Sequence, residues 1–267
     1  MFVTFLTDFG LQDDFVGTCH GVIKRIAPQV DVIDITHGIP PRAVVQGALV
    51  LANTIPHMPV GVHLAVIDPG VGGPRRALAL QDADGRQYVG PDNGLLLPAA
   101  ERAGIEGAHE IVNPAYALEQ VSRTFHGRDI FAPAAAHLAT GVPLTELGPP
   151  IDPGALVRLE LPEPELRPHR IDATVLYVDT FGNIQLNLKR EHLEEVKLPS
   201  GARVELELGG TKFYAVAART FSDARVGDLI LYEDAYCNIA VAMNRGSAAD
   251  MLAAKPGQHL RINLDAP

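Results

Sequence analysis

Cysteine is scarce in this sequence, and its scarcity excludes several kinds of protein. The two cysteines, Cys19 and Cys237, lie far apart and lack the paired spacing of metal ligands. They provide neither a disulfide framework nor a zinc motif, so a reducing compartment such as the cytoplasm is the expected location. The N-terminal stretch lacks the basic segment of a signal peptide and reaches an acid at Asp8, so we expect no such signal.

Long hydrophobic runs and an excess of basic residues are also missing. No apolar run approaches the roughly 20 residues that cross a bilayer. Lysine and arginine number 22 against 32 aspartates and glutamates, which gives a formal net charge of −10. Because that charge repels polyanions, neither nucleic acid nor a membrane is an expected partner.

Several familiar catalytic motifs are absent. The sequence contains no G-x-S-x-G, no Walker A sequence and no H-E-x-x-H. The glycines at 70–73 match neither the spacing nor the strand–turn–helix setting of G-x-G-x-x-G, so a dinucleotide site is not indicated. With ten histidines, chance proximity to carboxylates is expected, and counts alone predict no metal site.

Strands alternate with helices through residues 1–150, which predicts an α/β domain with a largely parallel central sheet. The principal predicted elements are strands at 2–6, 30–35, 62–67 and 77–80, helices at 15–26 and 43–54, and a helix ending at 139.

The composition and spacing of the sequence change after residue 150. Prolines crowd residues 151–169, which we interpret as an extended linker. Residues 170–267 contain short strands separated by turns and little helical spacing, which predicts a smaller antiparallel β-barrel or sandwich domain. Domains of unlike class commonly place a ligand site at their interface.

The loop from Asp68 to Arg75 joins two of the predicted strands. Its glycines and prolines forbid a helix and expose backbone, and an acid begins it while a cation ends it. In open α/β sheets, ligands are bound where strands end. Other polar residues occupy similar loops, and each also has a purely structural interpretation as a turn residue or ion-pair partner. They are Asp8, Asp13, Asp92, Asn93, His126, Arg128 and Asp129. The residues alone thus predict a small-molecule site at strand ends, without defining a reaction.

Six sequence blocks, in one order, resemble a single family. The family is the S-adenosyl-L-methionine (SAM) hydrolases, or SAM hydroxide adenosyltransferases, which are relatives of the SAM-dependent fluorinase and chlorinase. The blocks are Thr7-Asp8-Phe9-Gly10 with Asp13-Asp14, Thr36 to Pro41, Asp68 to Gly72, Pro91 to Leu96, Thr124 to Asp129, and Asp179 to Asn183.

The resemblance implies a reaction and an assembly. Water or hydroxide would attack C5′ of SAM and release adenosine and L-methionine, with SAM as substrate and no cofactor or metal. Asp68, Arg75 and His126 occupy the positions of the family's water-holding triad. Either His126 or Asp68 could be the base. The protein would be a homotrimer with its sites at the subunit interfaces.

The resemblance also implies binding residues. Asp8 would bind the ribose hydroxyls, and Asp13 would face the methionine ammonium. From a neighbouring subunit, Phe181 would stack on adenine, Asn183 would bond its edge, and Asp179 would contact the methionine end. Tyr236 and Asn244 are further candidates, although Ala235-Tyr236-Cys237 departs from the family's Ser-Ser-Gly turn.

Two alternatives stay open. One is a SAM-dependent halogenase, or its reverse reaction on a halogenated nucleoside. Halogenases replace the acid and the histidine of the triad and open an apolar halide pocket, and the fluorinase has a tryptophan at the position of Arg42. The other is a non-catalytic SAM or adenosine sensor on the same scaffold.

Overall fold

Four adjacent parallel strands form the larger part of the N-terminal sheet in the computed structural model, which describes residues 1–265. The chain divides into two compact units, which meet in sequence between Leu159 and Glu160. The elements of the first unit are β1 Phe2–Thr7, α1 Phe15–Ile26, β2 Asp31–Thr36, α2 Val44–Thr54, β3 Val62–Val66, β4 Ala77–Asp82, β5 Gln87–Pro91, α3 Leu97–Ala100, β6 Ile105–Glu110 and α4 Ala132–Ala139.

The sheet of the first unit has the order β2-β1-β3-β5-β4-β6. The pairs β1–β2, β1–β3 and β3–β5 are parallel, whereas β4 is antiparallel to both of its neighbours. The prediction of an α/β unit with a largely parallel sheet is confirmed.

Helices cover both faces of this sheet, which explains why its central strands are continuous apolar runs. Alternate residues of a strand point to opposite faces. Val3 and Phe5 of β1 accordingly enter one core with α1 and α4, while Leu6 enters the other with α2. The carboxyl ends of β1, β3 and β5 therefore emerge together at one rigidly supported edge.

The second unit is a closed β-barrel. Seven of its described strands follow the order β14-β10-β11-β12-β13-β9-β8, and β14 pairs back with β8. The pairing is antiparallel except between β11 and β12, and β7 adds to β8. The elements are β7 Glu165–Arg167, β8 Arg170–Val178, β9 Ile184–Lys189, α5 Arg190–Glu195, β10 Arg203–Leu208, β11 Thr211–Ala217, β12 Leu229–Glu233, β13 Asn238–Met243, α6 Ala248–Leu252 and β14 His259–Asn263.

The proline-rich stretch at 151–169 is divided between the two units. Ile151 donates its backbone N–H to the carbonyl of Ala108, and Leu156 is buried in the core of the first unit. Glu165–Arg167 is already a strand of the second unit. No helix within residues 1–265 is both long and apolar enough to span a membrane.

Candidate active site

A small pocket opens at the edge of the first unit where its parallel strands end. Asp8 follows β1 and Asp68 lies two residues beyond β3, and both side chains line the pocket. Its volume is about 100 Å³. The complete lining is Asp8, Phe9, Arg42, Val66, Asp68, Pro69, Val71, Thr124, Phe125, His126 and Gly127.

Asp68 and Arg75 form a two-pronged ion pair. Arg75 donates from Nε to both carboxylate oxygens of Asp68 at 3.1 Å and from Nη2 to Oδ2 at 2.5 Å. The guanidinium also lies over the ring of Phe131, 5.1 Å from its centroid. The Asp68 and Arg75 side chains are only 6% and 12% exposed, so water screens this pair weakly. The pairing fixes the orientation of the carboxylate at the pocket wall.

His126 joins the same network. Its Nδ1 lies 2.7 Å from Nη2 of Arg75. Because a guanidinium can only donate hydrogen bonds, Nδ1 must be the unprotonated acceptor, and the imidazole proton resides on Nε2. Burial and the positive charge of Arg75 both lower the pKa of His126. The network therefore holds His126 neutral in a single tautomer.

Arg75 bonds to both Asp68 and His126 without lining the pocket itself. Asp68 and His126 both line the pocket, whereas Arg75 is not among its lining residues. The convergence of Asp68, Arg75 and His126, which come from two loops far apart in sequence, is thus present in the structure. The geometry distinguishes two groups that face the pocket from one that braces them.

Gly72 allows the two loops to meet. Its φ of +74° lies in the region that favours glycine, and a Cβ there would be 2.4 Å from the carbonyl oxygen of Arg123. Arg123 belongs to the segment that carries His126. Glycine at this position is therefore needed for the Asp68–Arg75 loop to contact the segment that carries His126. This role adds to the exposure of backbone that the sequence indicates.

Asp92 and Asn93, two further polar candidates, have structural roles. Asp92 is buried, accepts from Arg76 Nε at 2.8 Å, and accepts from Val157 N at 3.0 Å. Asn93 donates its amide to the carbonyl of Ile67 at 2.8 Å, next to Asp68. Both residues secure the edge of the sheet behind the pocket.

Arg128 and Asp129 pair with each other next to His126 in the chain. Arg128 donates from Nε to Asp129 Oδ1 at 2.5 Å, and Ser122 N donates to Oδ2 at 2.8 Å. Although burial alone would raise it, the hydrogen bonds from Arg128 and Ser122 lower the pKa of Asp129. This charged pair closes the loop from Ser122 to Asp129 and so positions His126.

The two N-terminal acids differ in their placement. Asp8 lines the pocket and accepts a hydrogen bond from the backbone N–H of Arg42 at 2.8 Å. Asp13 is exposed just before α1 and is not among the pocket-lining residues. The structure therefore brings Asp8, but not Asp13, to the triad.

In the barrel unit, Asp179, Phe181 and Asn183 share one turn between β8 and β9. Asp179 accepts from the backbone N–H groups of Phe181 and Asn183 at 2.8 and 2.9 Å, and from Asn183 Nδ2 at 2.8 Å. Phe181 is 80% exposed, a high value for a phenylalanine ring. The carboxylate of Asp179 is thus occupied in shaping the turn, which presents an unburied aromatic face.

Tyr236 and Asn244 belong to other turns of the barrel unit. Tyr236 is half-exposed in a turn, where its backbone N–H donates to Asp234 Oδ1 at 2.8 Å. Asn244 Nδ2 donates to the carbonyl of Ala224 at 2.9 Å. This bond gives Asn244 a structural role at the end of β13.

Phe9 and Phe125 are pocket residues that sequence reasoning overlooked. Each adjoins a predicted site residue in the chain, Asp8 and His126 respectively, and their rings meet edge-on with centroids 5.7 Å apart. Their positions next to Asp8 and His126 in the sequence could have identified them as pocket residues. They give the pocket an apolar wall beside its charged groups.

The first unit is an α/β unit with a carboxylate–guanidinium–imidazole network at its strand ends, and the second is a β-barrel. Together these features describe a class of two-unit proteins. Comparison with known families places the chain within that class. The SAM hydroxide adenosyltransferase N-terminal domain matches residues 3–148, and the C-terminal domain of the same family matches residues 173–261. The chain belongs to the SAM hydroxide adenosyltransferase family.

Named relatives extend across nearly the whole chain. The (R)-S-adenosyl-L-methionine hydrolase of Salinispora arenicola is 50% identical, with 97% of each chain covered. The enzyme of the same name from Thermus thermophilus is 40% identical, covering 97% of this chain and 98% of the relative. A fluorinase from Nocardia brasiliensis is 29% identical over 98% of this chain and 96% of its own.

A solved structure shares the fold. The crystal structure of an uncharacterized conserved protein from Thermotoga maritima superposes with a TM-score of 0.90 at 35% identity, covering 98% of this chain and 99% of that one.

Proposed function

We propose that this protein hydrolyses S-adenosyl-L-methionine to adenosine and L-methionine. The observation that carries the proposal is the Asp68–Arg75–His126 network, with its acid and imidazole on the wall of one small pocket. The family and the names of the hydrolase relatives support the same reaction. Those names specify the (R) epimer at sulfur, which we take as the substrate form here too.

The proposed chemistry is an in-line displacement by water. The water oxygen attacks C5′, the C5′–S bond breaks, and its electron pair stays on sulfur, which becomes the thioether of methionine. The sulfonium leaves readily without metal activation, so the protein's task is to position and deprotonate a water molecule. No cofactor enters this scheme, and enzyme treated with a chelator should retain its turnover.

The tautomer inferred from this geometry would assign different tasks to the two pocket groups. With Nδ1 occupied by Arg75, His126 presents Nε2–H, which would donate to the water oxygen and hold it. Asp68 would accept the proton that the water loses, because a carboxylate can only accept. Arg75 would keep both groups in place and favour developing hydroxide through its charge.

Replacing Asp68 with asparagine tests this division of labour. Asp68→Asn keeps the shape of the side chain but cannot take a proton, so turnover should fall by about 10²–10⁴-fold, the usual contribution of general acid–base catalysis. Asp152→Asn, which changes an acid in a turn of the same unit away from the pocket, is the matched control. Unchanged turnover in Asp68→Asn would contradict the assignment of the base.

We propose that residues of the α/β unit and residues of the barrel unit both contact the substrate. Asp8 would accept hydrogen bonds from the ribose hydroxyls, and Asp13 would attract the methionine ammonium. Phe181 would stack on adenine, and Asn183 would bond its edge through Oδ1, because its Nδ2 already serves Asp179. Asp179 would support this turn near the methionine end, with Tyr236 and Asn244 as further contacts.

We propose a homotrimer in which the barrel turn of one subunit completes the pocket of its neighbour. The pocket of the first unit, about 100 Å³, is smaller than the roughly 300–1,000 Å³ typical of ligand sites. The exposed ring of Phe181 offers the additional surface that an adenine needs. Both free cysteines fit a reducing cytoplasm, where we propose that the enzyme works.

Subunit mixing tests the shared site. Asp68→Ala and Phe181→Ala homotrimers should each be impaired, whereas mixed trimers would contain some sites built from an intact α/β unit and an intact barrel unit. Recovery of turnover on mixing supports a shared site. If mixing restores nothing while mixed trimers form, each site is made by a single chain.

A halogenase is the second candidate, because fluorinases are among the relatives. The pocket wall disfavours it, since Asp68 and His126 place polar groups where the resemblance requires an apolar halide site. Incubation with SAM, with and without excess chloride or fluoride, separates the candidates. A 5′-halogenated nucleoside would support halogenation, whereas adenosine in both cases supports hydrolysis. SAM binding without any product would indicate a sensor.

A further inference from the structure

We propose that His20, Asp34 and His37 form a binding site for one divalent transition-metal ion, separate from the pocket described above. His20 belongs to α1, Asp34 to β2, and His37 follows the end of β2. None of the three lines the pocket that contains Asp68 and His126. The site goes beyond the proposed hydrolysis and does not depend on it.

The three side chains converge on a small volume. Asp34 Oδ1 lies 2.8 Å from His20 Nε2 and 3.0 Å from His37 Nε2. One ligand atom from each residue lies within 4.8 Å of the other two. Ligands bound at about 2.0–2.1 Å to one zinc ion lie somewhat over 3 Å apart, so small side-chain rotations would accommodate an ion.

The ring of His37 is held in the orientation that a ligand requires. Its side chain is only 3% exposed and packs edge-on against Phe5, with ring centroids 4.8 Å apart. Thr7 Oγ1 lies 2.8 Å from His37 Nδ1. If Nδ1 carries the proton and donates to this oxygen, Nε2 is left with a lone pair. A second partner of this kind is typical of metal-binding histidines.

His37 Nε2 is itself an unsatisfied buried atom. It has no hydrogen-bond partner among residues 1–265, although Asp34 Oδ1 lies 3.0 Å away. A buried polar atom without a partner destabilises the fold, so such atoms call for an explanation. An ion bound along the nitrogen lone pair would satisfy this atom and retain the nearby carboxylate as a second ligand.

The ligand types select the class of ion. Two imidazoles and one carboxylate suit zinc, cobalt or similar divalent ions, whereas calcium and magnesium prefer oxygen ligands only. His20 and Asp34 are 31% and 41% exposed, so an ion can enter from solvent and complete its shell with water.

The position suggests what the ion would stabilise. The carbonyl of His37 accepts the backbone N–H of Gly10 at 2.8 Å, and Thr7 Oγ1 accepts that of Phe9 at 3.1 Å. Both contacts hold the turn that follows β1, which carries Asp8. A bound ion would therefore tie α1, β2 and this turn together and raise Tm by an amount that grows with the free ion concentration relative to its Kd.

Metal titration of the tag-free, chelator-treated protein tests the site. Cobalt(II), followed by its visible absorption, and zinc(II), followed by calorimetry, should each bind with one equivalent per chain, and zinc should raise Tm. His20→Gln and Asp34→Asn should weaken this binding by more than roughly tenfold, since even losing a supporting residue of a metal site costs 10–100-fold. His169→Gln, which alters an exposed histidine paired with Asp265, should bind like the unchanged protein.

Two results would overturn the proposal. One is the absence of a stoichiometric site in the unchanged protein. The other is equal metal affinity in His20→Gln, Asp34→Asn and the His169→Gln control. Because the readouts are spectra, heats and Tm, neither result depends on whether the protein hydrolyses SAM.

Discussion

Arg75 Nη2 lies 2.7 Å from His126 Nδ1, although the two residues are 51 positions apart in the chain. The same nitrogen also donates to Asp68 Oδ2. One guanidinium thus fixes both the carboxylate and the imidazole that face the pocket, and it dictates which imidazole nitrogen bears the proton. The catalytic proposal follows from this bridging arrangement more than from any single residue.

Arg75→Lys should separate charge from geometry. Lysine keeps the positive charge but cannot reproduce the forked donation to Asp68 together with a bond to His126. We expect kcat to fall by about 10²-fold, the effect of misplacing catalytic groups by about 1 Å, with a smaller change in KM. Steady-state kinetics with SAM measure both. Full turnover in Arg75→Lys would mean that the charge alone suffices.

The neutral state of His126 predicts the acid limb of the pH profile. Because burial and Arg75 lower its pKa, the neutral tautomer should persist below the ordinary value of about 6.5. The value of kcat/KM should therefore stay level as pH falls to about 6.5 and decline only at lower pH. Nitrogen NMR should show the proton on Nε2 across the level range. A midpoint above this ordinary value, or a proton on Nδ1, would contradict the proposed tautomer.

Gly72→Ala should destabilise the protein more than another glycine substitution at positive φ. Gly85 has a φ of +81°, and the nearest atom to a Cβ placed there would be in Val60, at 3.9 Å, whereas a Cβ at position 72 would lie 2.4 Å from Arg123 O. Both substitutions incur the backbone penalty of about 1–2 kcal/mol, and only Gly72→Ala adds the clash. Denaturant unfolding of both variants measures the difference. Equal losses would show that the loops can separate freely.

Several elements of the α/β unit were predictable because each carries its own pattern. Helix α1 begins and ends where its spacing indicates, and β1 and β3 are apolar runs with both faces buried. The closing strand β14 was missed. It contains only two buried apolar residues, Leu260 and Ile262, and its place is fixed by pairing with the distant strands β8 and β10. The choice between barrel and sandwich depends on that long-range pairing.

The site was only partly predictable for a similar reason. Residue types placed Asp8 and Asp68 at strand ends, and parallel topology brought both to one edge. Nothing local distinguishes Asp68, which faces the pocket, from Asp92, which pairs with Arg76 inside the protein. That difference depends on which cation each carboxylate meets after folding.

Phe181→Ala should weaken substrate binding without weakening the fold. The ring is 80% exposed, so its removal deletes little packing, but the loss of stacking on adenine should cost about 1–3 kcal/mol. KM for SAM should rise accordingly, while Tm stays constant. Val226→Ala, at another exposed position of the barrel unit, is the control. An unchanged KM would remove Phe181 from the proposed site.

Acid should destabilise the protein through His63. This residue is fully buried in β3, and burial followed by the charge of Arg86 lowers its pKa to about 4. The unfolded chain titrates near pH 6.5, so it binds more protons than the folded state between those values. Protonation of His63 therefore leaves the free energy of unfolding unchanged above about pH 6.5. As the pH drops to about 4, it lowers that free energy by up to about 3 kcal/mol. His63→Gln should reduce this slope in pH-dependent unfolding, and an identical slope would contradict the assignment.

Hydrolysis of SAM in ¹⁸O-labelled water tests the central claim most directly. Mass spectrometry of the separated products should find one labelled oxygen in the 5′-hydroxyl of adenosine and none in L-methionine. Asp68→Asn should form this product far more slowly. Unlabelled adenosine, label in the amino acid, or a nucleoside other than adenosine would contradict attack of water at C5′.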